Sequence, residues 1–262
     1  MSQNANPTYS EKLGVGAILS QSFSIFGRNL VPVMLLGFVP TLIGFILSGA
    51  INGWDVALGL QEPDFSQGGA IGFLLSGVVQ IAIYAITTGL LVQFSYDAKL
   101  GRPYDLGRYV RSSVSAVPVI VILTLISSIV IGLAAVVLIL PGLWVYAVFS
   151  VMVPAVVIER AGFGGLARST ELTKGFRWPI LGALILVGLC TGVLTFVIGF
   201  LTGYIGSSIA GSVIGTVVMV LGVSALTAVS YGLSGIAVAL IYARLREIKE
   251  GLSVDQIAAV FD

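Results

Sequence analysis

The sequence predicts an all-α integral membrane protein, a polytopic bundle of six transmembrane helices with both termini on the cytoplasmic side. Hydrophobic residues make up 57% of the 262 residues and charged residues only 10%, whereas soluble domains carry about 25% charged residues. Six uncharged apolar runs divide the chain. All but one of them exceed the roughly 17 residues that cross a bilayer core. Lipid is therefore the expected solvent for most of the chain.

The six predicted spans form a single membrane domain over residues 1–262. They lie near residues 30–51, 70–96, 117–140, 143–158, 179–203 and 213–242. The fourth is the shortest, and only Pro141 and Gly142 separate it from the third. Because proline and glycine are typical of tight turns, we interpret the third and fourth runs as a helical hairpin.

The distribution of charge supports this count and orients the bundle. Basic residues in short loops stay on the cytoplasmic side of the membrane. With the N-terminus inside, six spans place all 13 lysine and arginine residues in cytoplasmic segments, and the outer loops hold only Asp55, Glu62 and Asp64. Models with five or seven spans are the alternatives. Each would move several basic residues to the outside.

Two short amphipathic helices are expected at the ends of the chain. The first begins near Ser10, an expected N-cap, and one of its faces carries Val15, Ile18, Leu19, Phe23 and Phe26. We expect this helix to lie along the inner membrane surface, and a continuous extension of the first span is the alternative. Near the other end, Gly251 should stop the last long helix. Ser253 and Gln256 then have the spacing of a capping box.

A weak internal repeat places basic residues, and then a proline, at the start of three long apolar runs. The three segments are Arg28–Pro32, Arg111–Pro118 and Arg177–Pro179. They suggest three similar units, each made of a surface helix and two spans. Proline near the start of a helix also has an ordinary backbone explanation.

The residues that usually carry chemistry are missing from the apolar runs. The chain has no histidine, and no acidic or basic residue lies inside any of the six runs. Intramembrane ionisable residues mark proton relays and catalytic pairs, so we expect neither an enzyme nor a bound cofactor or metal. The single cysteine, Cys190, has no base near it in the sequence and is interpreted as a small packing residue.

The remaining polar and small residues of the spans predict how the helices pack. The largest polar groups are Gln80, Tyr84, Gln93 and Tyr231. We expect them to form hydrogen bonds between helices, and a polar crevice lined by them is the alternative. GxxxG spacing occurs at Gly188 and Gly192, at Gly199 and Gly203, and at Gly211 and Gly215. The last run adds Gly222, Gly232 and Gly235, so we expect it to be a central helix. Such faces also suit a homo-oligomer or a protein partner.

Three stretches together resemble a known family. They are Leu140–Arg160 (LPGLWVYAVFSVMVPAVVIER), Gly164–Gly182 (GGLARSTELTKGFRWPILG) and Tyr242–Leu252 (YARLREIKEGL). The chain resembles six-helix bacterial membrane proteins related to the membrane domain of glycerophosphoryl diester phosphodiesterase. That resemblance implies a helical domain of the bacterial inner membrane, associated with lipid. No activity carries over, because the family's catalytic domain is separate and uses histidines that this chain lacks.

Two functional hypotheses follow. The first is a non-enzymatic membrane protein that binds phospholipid or acts as a scaffold, with membrane lipids as partners and no nucleic acid. In it Arg28, Arg111 and Arg177, with Trp178 beside them, form a basic ring for anionic headgroups. Alternatively, these arginines only follow the general preference of basic residues for the cytoplasmic side and bind no particular lipid. The second hypothesis is a transporter or channel for a small neutral or apolar solute, with a path lined by the serines, threonines and glycines of the last two spans. It requires a polar cavity at mid-membrane depth.

Overall fold

The computed structural model describes residues 13–63, 69–208 and 212–251. Within these ranges the chain is helical and has no β-strand. The helices are α1 (Val15–Arg28), α2 (Leu30–Asn52), α3 (Trp54–Ala57), α4 (Gly69–Leu100), α5 (Leu106–Val137), α6 (Ile139–Phe149), α7 (Met152–Val157), α8 (Gly165–Thr173), α9 (Arg177–Ser208) and α10 (Val213–Glu250). A 3₁₀ turn at Gly162–Gly164 precedes α8.

Six segments are long and apolar enough to cross a membrane, as the sequence predicts. They are Leu30–Asn52, Gly69–Leu100, Leu106–Val137, Ile139–Val157, Arg177–Tyr204 and Val213–Glu250. The protein is thus a multi-pass membrane protein. The orientation of the bundle stays a prediction.

The turn between the third and fourth spans lies three residues before its predicted position. α5 ends at Val137, Leu138 is extended, and α6 begins at Ile139. Pro141 therefore falls in the first turn of α6, where its missing N–H would have no helical partner in any case. Gly142 allows the two helices to approach closely, because a Cβ there would lie 2.7 Å from Cβ of Ala135. The hairpin is confirmed, and its predicted turn at Pro141 and Gly142 is wrong.

The fourth span is broken, which the sequence analysis did not predict. α6 ends at Phe149 and α7 begins at Met152. Pro154 explains the break, because a proline ring clashes with the carbonyl four residues earlier, here that of Ser150, and cannot donate to it. The helix is therefore interrupted between Phe149 and Met152, within the fourth span.

α5 begins well before the predicted third span because the side chain of Asp105 caps it. Its Oδ1 accepts a hydrogen bond from the backbone N–H of Arg108 at 2.9 Å. Pro118 consequently lies inside α5, whereas Pro32 and Pro179 lie in the first turns of α2 and α9. In two of the three segments of the proposed repeat, the proline thus lies in the first turn of its helix. In the third segment it lies inside the helix.

α1 is a separate helix and not an extension of the first span. Asn29 interrupts the helical backbone, and its side-chain amide donates to the carbonyl of Ile25 at 3.0 Å. Ile18 and Ser22 are buried, and α1 packs on α9 and α10. Its location on the inner membrane surface stays a prediction. α1 begins at Val15, with Gly14 as its N-cap, so the expected start near Ser10 is wrong. Ser10 itself and the expected cap at 253–256 lie outside the described residues.

α10 is the central helix of the bundle, as predicted, and contacts α1, α2, α4 and α9. A Cβ at Gly235 would lie 3.0 Å from Cβ of Leu91, and one at Gly232 would lie 2.8 Å from Cγ1 of Val33. Gly251, with φ 64°, ends the helix as expected. On α9, by contrast, a Cβ at Gly188 or Gly192 would meet nothing within 4 Å. These two glycines do not bring α9 close to another described helix, and their use in a homo-oligomer stays a prediction.

Two of the polar side chains of the spans join helices, as predicted. Gln93 donates through Nε2 to the backbone carbonyl of Tyr109 at 3.2 Å and to Oγ of Ser113 at 3.1 Å, which ties α4 to α5. Gln80 donates to the carbonyl of Gly44 on α2 at 3.4 Å.

Candidate functional site

A groove lined by arginines lies between the C-terminal end of α4, the N-terminal part of α5 and the segment from α7 to the 3₁₀ turn. It consists of two adjoining cavities of about 440 Å³ and about 280 Å³, which share Arg108, Ser112, Val157 and Arg160. Arg111 lines the first cavity and Arg102 the second. We call this feature the arginine groove.

One face of α5 forms a wall of the groove. The polarity of the side chains on this face falls from the N-terminal end of the wall to its C-terminal end. The side chains on this wall recur at helical spacing and belong in order to Arg108, Arg111, Ser112, Ser115, Ala116 and Val119. Guanidinium groups thus come first along the helix, hydroxyl groups follow, and apolar side chains come last. Val156 and Val157 of α7 continue the apolar part of the lining and are themselves buried. This gradient suits an amphiphile.

Arg160 reaches the groove from a strained backbone. Its φ is 56°, and no other non-glycine residue in the described ranges has a positive φ. The left-handed conformation costs an L-residue about 1–2 kcal/mol. Such strain persists only where the surrounding structure enforces it, and it clusters at functional sites. Gly162, two residues later, also has a positive φ of 53°, so the chain turns sharply here and leaves Arg160 in the groove lining.

The groove carries more positive charge than its own acidic group can balance. Among the described residues, four guanidinium groups line it against one carboxylate, that of Asp97. Asp97 is buried, pairs with Arg108, and accepts a hydrogen bond from the Tyr109 hydroxyl at 2.6 Å. Arg111 and Arg160 are exposed, and within the described part of the chain neither side chain forms a hydrogen bond or an ion pair. They are therefore available to an anion.

The four predicted headgroup residues lie in different surroundings. Arg111 lines the groove, but Arg28 and Arg177 do not. Arg28 is exposed at the end of α1. The guanidinium carbon of Arg177 lies 4.3 Å from the ring centroid of Trp144, a cation–π contact with α6. Trp178 is exposed. Whether these residues bind headgroups stays a prediction.

Ion pairs join the residues that follow α7 to α8 and α10, and join α4 to α10, at the same end of the bundle. Arg168 donates two hydrogen bonds to Glu159, of 2.7 and 3.1 Å, and also pairs with Glu250. Arg246 donates to Glu250 at 2.7 Å, and Lys99 pairs with Glu247 at 2.9 Å.

The hydrogen bonds from Arg168 to Glu159 raise the pKa of the Arg168 guanidinium. Burial opposes this rise, and the bond to Glu250 adds to it. A raised pKa stabilises the folded state at every pH below the pKa that arginine has in the unfolded chain. The contribution of Arg168 is thus constant through the physiological range. The network serves to hold α8 in place.

Sequence analysis identified Arg111 but missed Arg108 and Arg160. The helical spacing of Arg108, Arg111, Ser112 and Ser115 was a visible signal for the α5 wall. No sequence signal placed Arg160 opposite that wall. Within the described ranges, no group of three or more histidine, cysteine or acidic side chains could hold a metal ion.

Comparisons with known proteins identify no relative of the chain. No protein-family model matches the chain, and neither a curated protein nor a solved structure matches it. The resemblance to the phosphodiesterase membrane domain therefore stays a prediction.

Proposed function

We propose that the protein is a non-enzymatic, lipid-associated protein of the bacterial inner membrane that binds an anionic phospholipid headgroup in the arginine groove. The observation that carries this proposal is the gradient on the α5 wall from guanidinium to hydroxyl to apolar side chains. A phospholipid presents phosphate, ester oxygens and acyl chain in the same order.

The charge of the groove favours phosphate over a neutral headgroup. A guanidinium can donate two parallel hydrogen bonds to phosphate oxygens, and Arg111 and Arg160 have no other described partner for these bonds. In the proposed orientation the groove faces the cytoplasmic leaflet, where anionic lipids attract basic residues. The apolar wall then meets the beginning of the acyl chains.

Native mass spectrometry of two double variants tests the proposal. Arg111→Gln with Arg160→Gln removes the two unpaired guanidinium groups of the groove. We expect phosphatidylglycerol bound to this variant to dissociate at about tenfold lower concentration of competing detergent, which corresponds to about 1.4 kcal/mol. Neither side chain has a described ion pair, so the variant should fold normally.

Arg28→Gln with Lys174→Gln is the matched control, because it removes the same charge from exposed positions outside the groove. Retention of lipid by this control supports a local site. Equal loss from both variants would leave only the general attraction of an anionic leaflet. Loss from the control alone would overturn the groove and favour the wider basic ring that includes Arg28.

A further inference from the structure

A separate cavity of about 300 Å³ lies within the membrane-spanning part of the bundle, between α4, α5, α6, α7 and α10. Nine of the 15 described residues that line it carry a hydroxyl group, and none of these 15 is charged. Tyr84 lies at the middle of α4, and Tyr231 at the middle of α10. The cavity is thus polar at the depth where surrounding side chains are apolar.

The hydroxyl groups of this cavity, which we call the hydroxyl cavity, are only partly satisfied. Ser127 donates to the carbonyl of Thr124 at 3.0 Å and Ser150 to that of Ala147 at 2.8 Å, so each oxygen can still accept a bond. Oγ1 of Thr124 is buried and has no hydrogen-bond partner in the described structure. A buried polar atom without a partner is costly, and such atoms in native proteins usually have a bound partner.

Aromatic rings give the cavity a defined shape. The rings of Tyr84 and Tyr231 meet edge to face, with centroids 5.6 Å apart and an angle of 73°. This contact holds α4 against α10. Tyr146 adds a third phenol from α6.

Tight packing separates the hydroxyl cavity from the arginine groove. Ala85, Ile120 and Val157 are buried in one apolar cluster between the two. A Cβ at Gly89 would lie 2.7 Å from Oγ of Ser113. The cavity is therefore a site of its own and not the deep end of the groove.

We infer that the hydroxyl cavity binds a small uncharged solute with several hydroxyl groups, a polyol. Hydroxyl side chains can both donate and accept, which matches the hydroxyl groups of such a ligand. An ion would lose its hydration without a compensating charge, and an apolar molecule would leave the hydroxyl oxygens of Ser127 and Ser150 without a donor. A volume of about 300 Å³ is at the lower end for small-molecule sites. This inference goes beyond lipid association and does not depend on the groove.

The site also gives the predicted alternative, transport of a small neutral solute, a definite location. The sequence analysis predicts a polar path in the last two spans, but the cavity is built from α4, α5, α6, α7 and α10. A binding site within the spans is what a carrier requires.

Thermal unfolding of the purified protein in detergent, titrated with glycerol and with xylitol, tests the inference. Polyols stabilise proteins without binding them, and that effect grows in proportion to polyol concentration. A bound polyol adds a term that begins to rise near its dissociation constant and then increases only logarithmically with concentration. We expect about 3 °C of additional stabilisation at ten times the dissociation constant. The double variant Thr124→Val with Ser127→Ala should lose this additional stabilisation.

Ser230→Ala is the matched control, because the Ser230 hydroxyl bonds to the carbonyl of Leu226 and does not line the cavity. It should respond as the native protein does. Parallel curves that rise only in proportion to polyol concentration for all three proteins would overturn the inference and assign water to the cavity.

A second measurement covers the case in which the double variant does not fold. With Cys190→Ser as background, Ser234→Cys places a thiol in the cavity lining and Ser230→Cys places one outside it. Xylitol should slow alkylation by N-ethylmaleimide at least threefold at position 234 and leave position 230 unchanged. Equal rates with and without xylitol at position 234, or a thiol there that the reagent cannot reach, would contradict an accessible polyol site.

Discussion

The hydroxyl of Tyr242 donates a hydrogen bond of 2.5 Å to Oε1 of Glu159 and so joins the last helix to the end of the fourth span. Tyr242 is fully buried, and Glu159 also accepts both hydrogen bonds from Arg168. One carboxylate thus coordinates groups from α8 and α10. The contact fixes the position of α8, whose C-terminal end leads through residues 174–176 to α9.

Tyr242→Phe should destabilise the protein by about 2 kcal/mol, because hydrogen bonds to charged groups contribute about 1.5–3 kcal/mol. Unfolding in mixed micelles would measure the change. Tyr104→Phe is the control, since Tyr104 donates to Asn29 at an exposed site and should matter less. A double variant with Glu159→Gln should show non-additive effects. Additive effects would mean that the two side chains act independently.

The close approach of α2 to α10 depends on a glycine. A Cβ at Gly37 would lie 3.0 Å from both Cα and Cβ of Ala228, and the Ala228 backbone cannot move aside cheaply. Gly37→Ala should therefore cost about 2 kcal/mol through overpacking. Gly188→Ala on α9, where nothing lies within 4 Å, should cost nothing. The midpoints of thermal unfolding of the two variants measure this difference in stability. Equal midpoints would contradict the described packing.

Backbone strain at Arg160 predicts an unusual order of stabilities. With φ at 56°, glycine should be favoured over alanine at this position by about 1 kcal/mol. Arg160→Gly should therefore unfold at a higher temperature than Arg160→Ala, although both should bind phosphatidylglycerol equally poorly. A higher midpoint for the alanine variant would show that residue 160 does not adopt the left-handed conformation.

The orientation of the bundle is open to chemical labelling. In a Cys190→Ser background, a cysteine replacing Gln61, between α3 and α4, should react with an impermeant maleimide on intact cells. A cysteine replacing Pro103, between α4 and α5, should react only after the cells are opened. The reverse pattern would contradict the orientation. Reaction at both sites in intact cells would contradict an odd number of spans between them.

The number and approximate limits of the spans were predictable from sequence because each depends on local composition. A helix in lipid must satisfy its own backbone and needs about 20 apolar residues, whatever its neighbours are. The same holds for the end of α10 at Gly251, where a single residue adopts the left-handed conformation. The break before α7 was missed, although Pro154 was visible, because the fourth run was treated as one uninterrupted helix.

Only the tertiary structure decided which side chains meet. The arginine groove combines Arg108 and Arg111 on α5 with Arg160, and the hydroxyl cavity combines Tyr84 with Tyr231. These residues are distant in sequence, and their distances depend on how tightly the helices pack at positions such as Gly37 and Gly235. Helical periodicity assigns a residue to a face of its own helix. It does not say which other helix that face will meet. Lipid solvates an apolar face as well as another helix does, so close packing and hydrogen bonds between helices decide which faces meet.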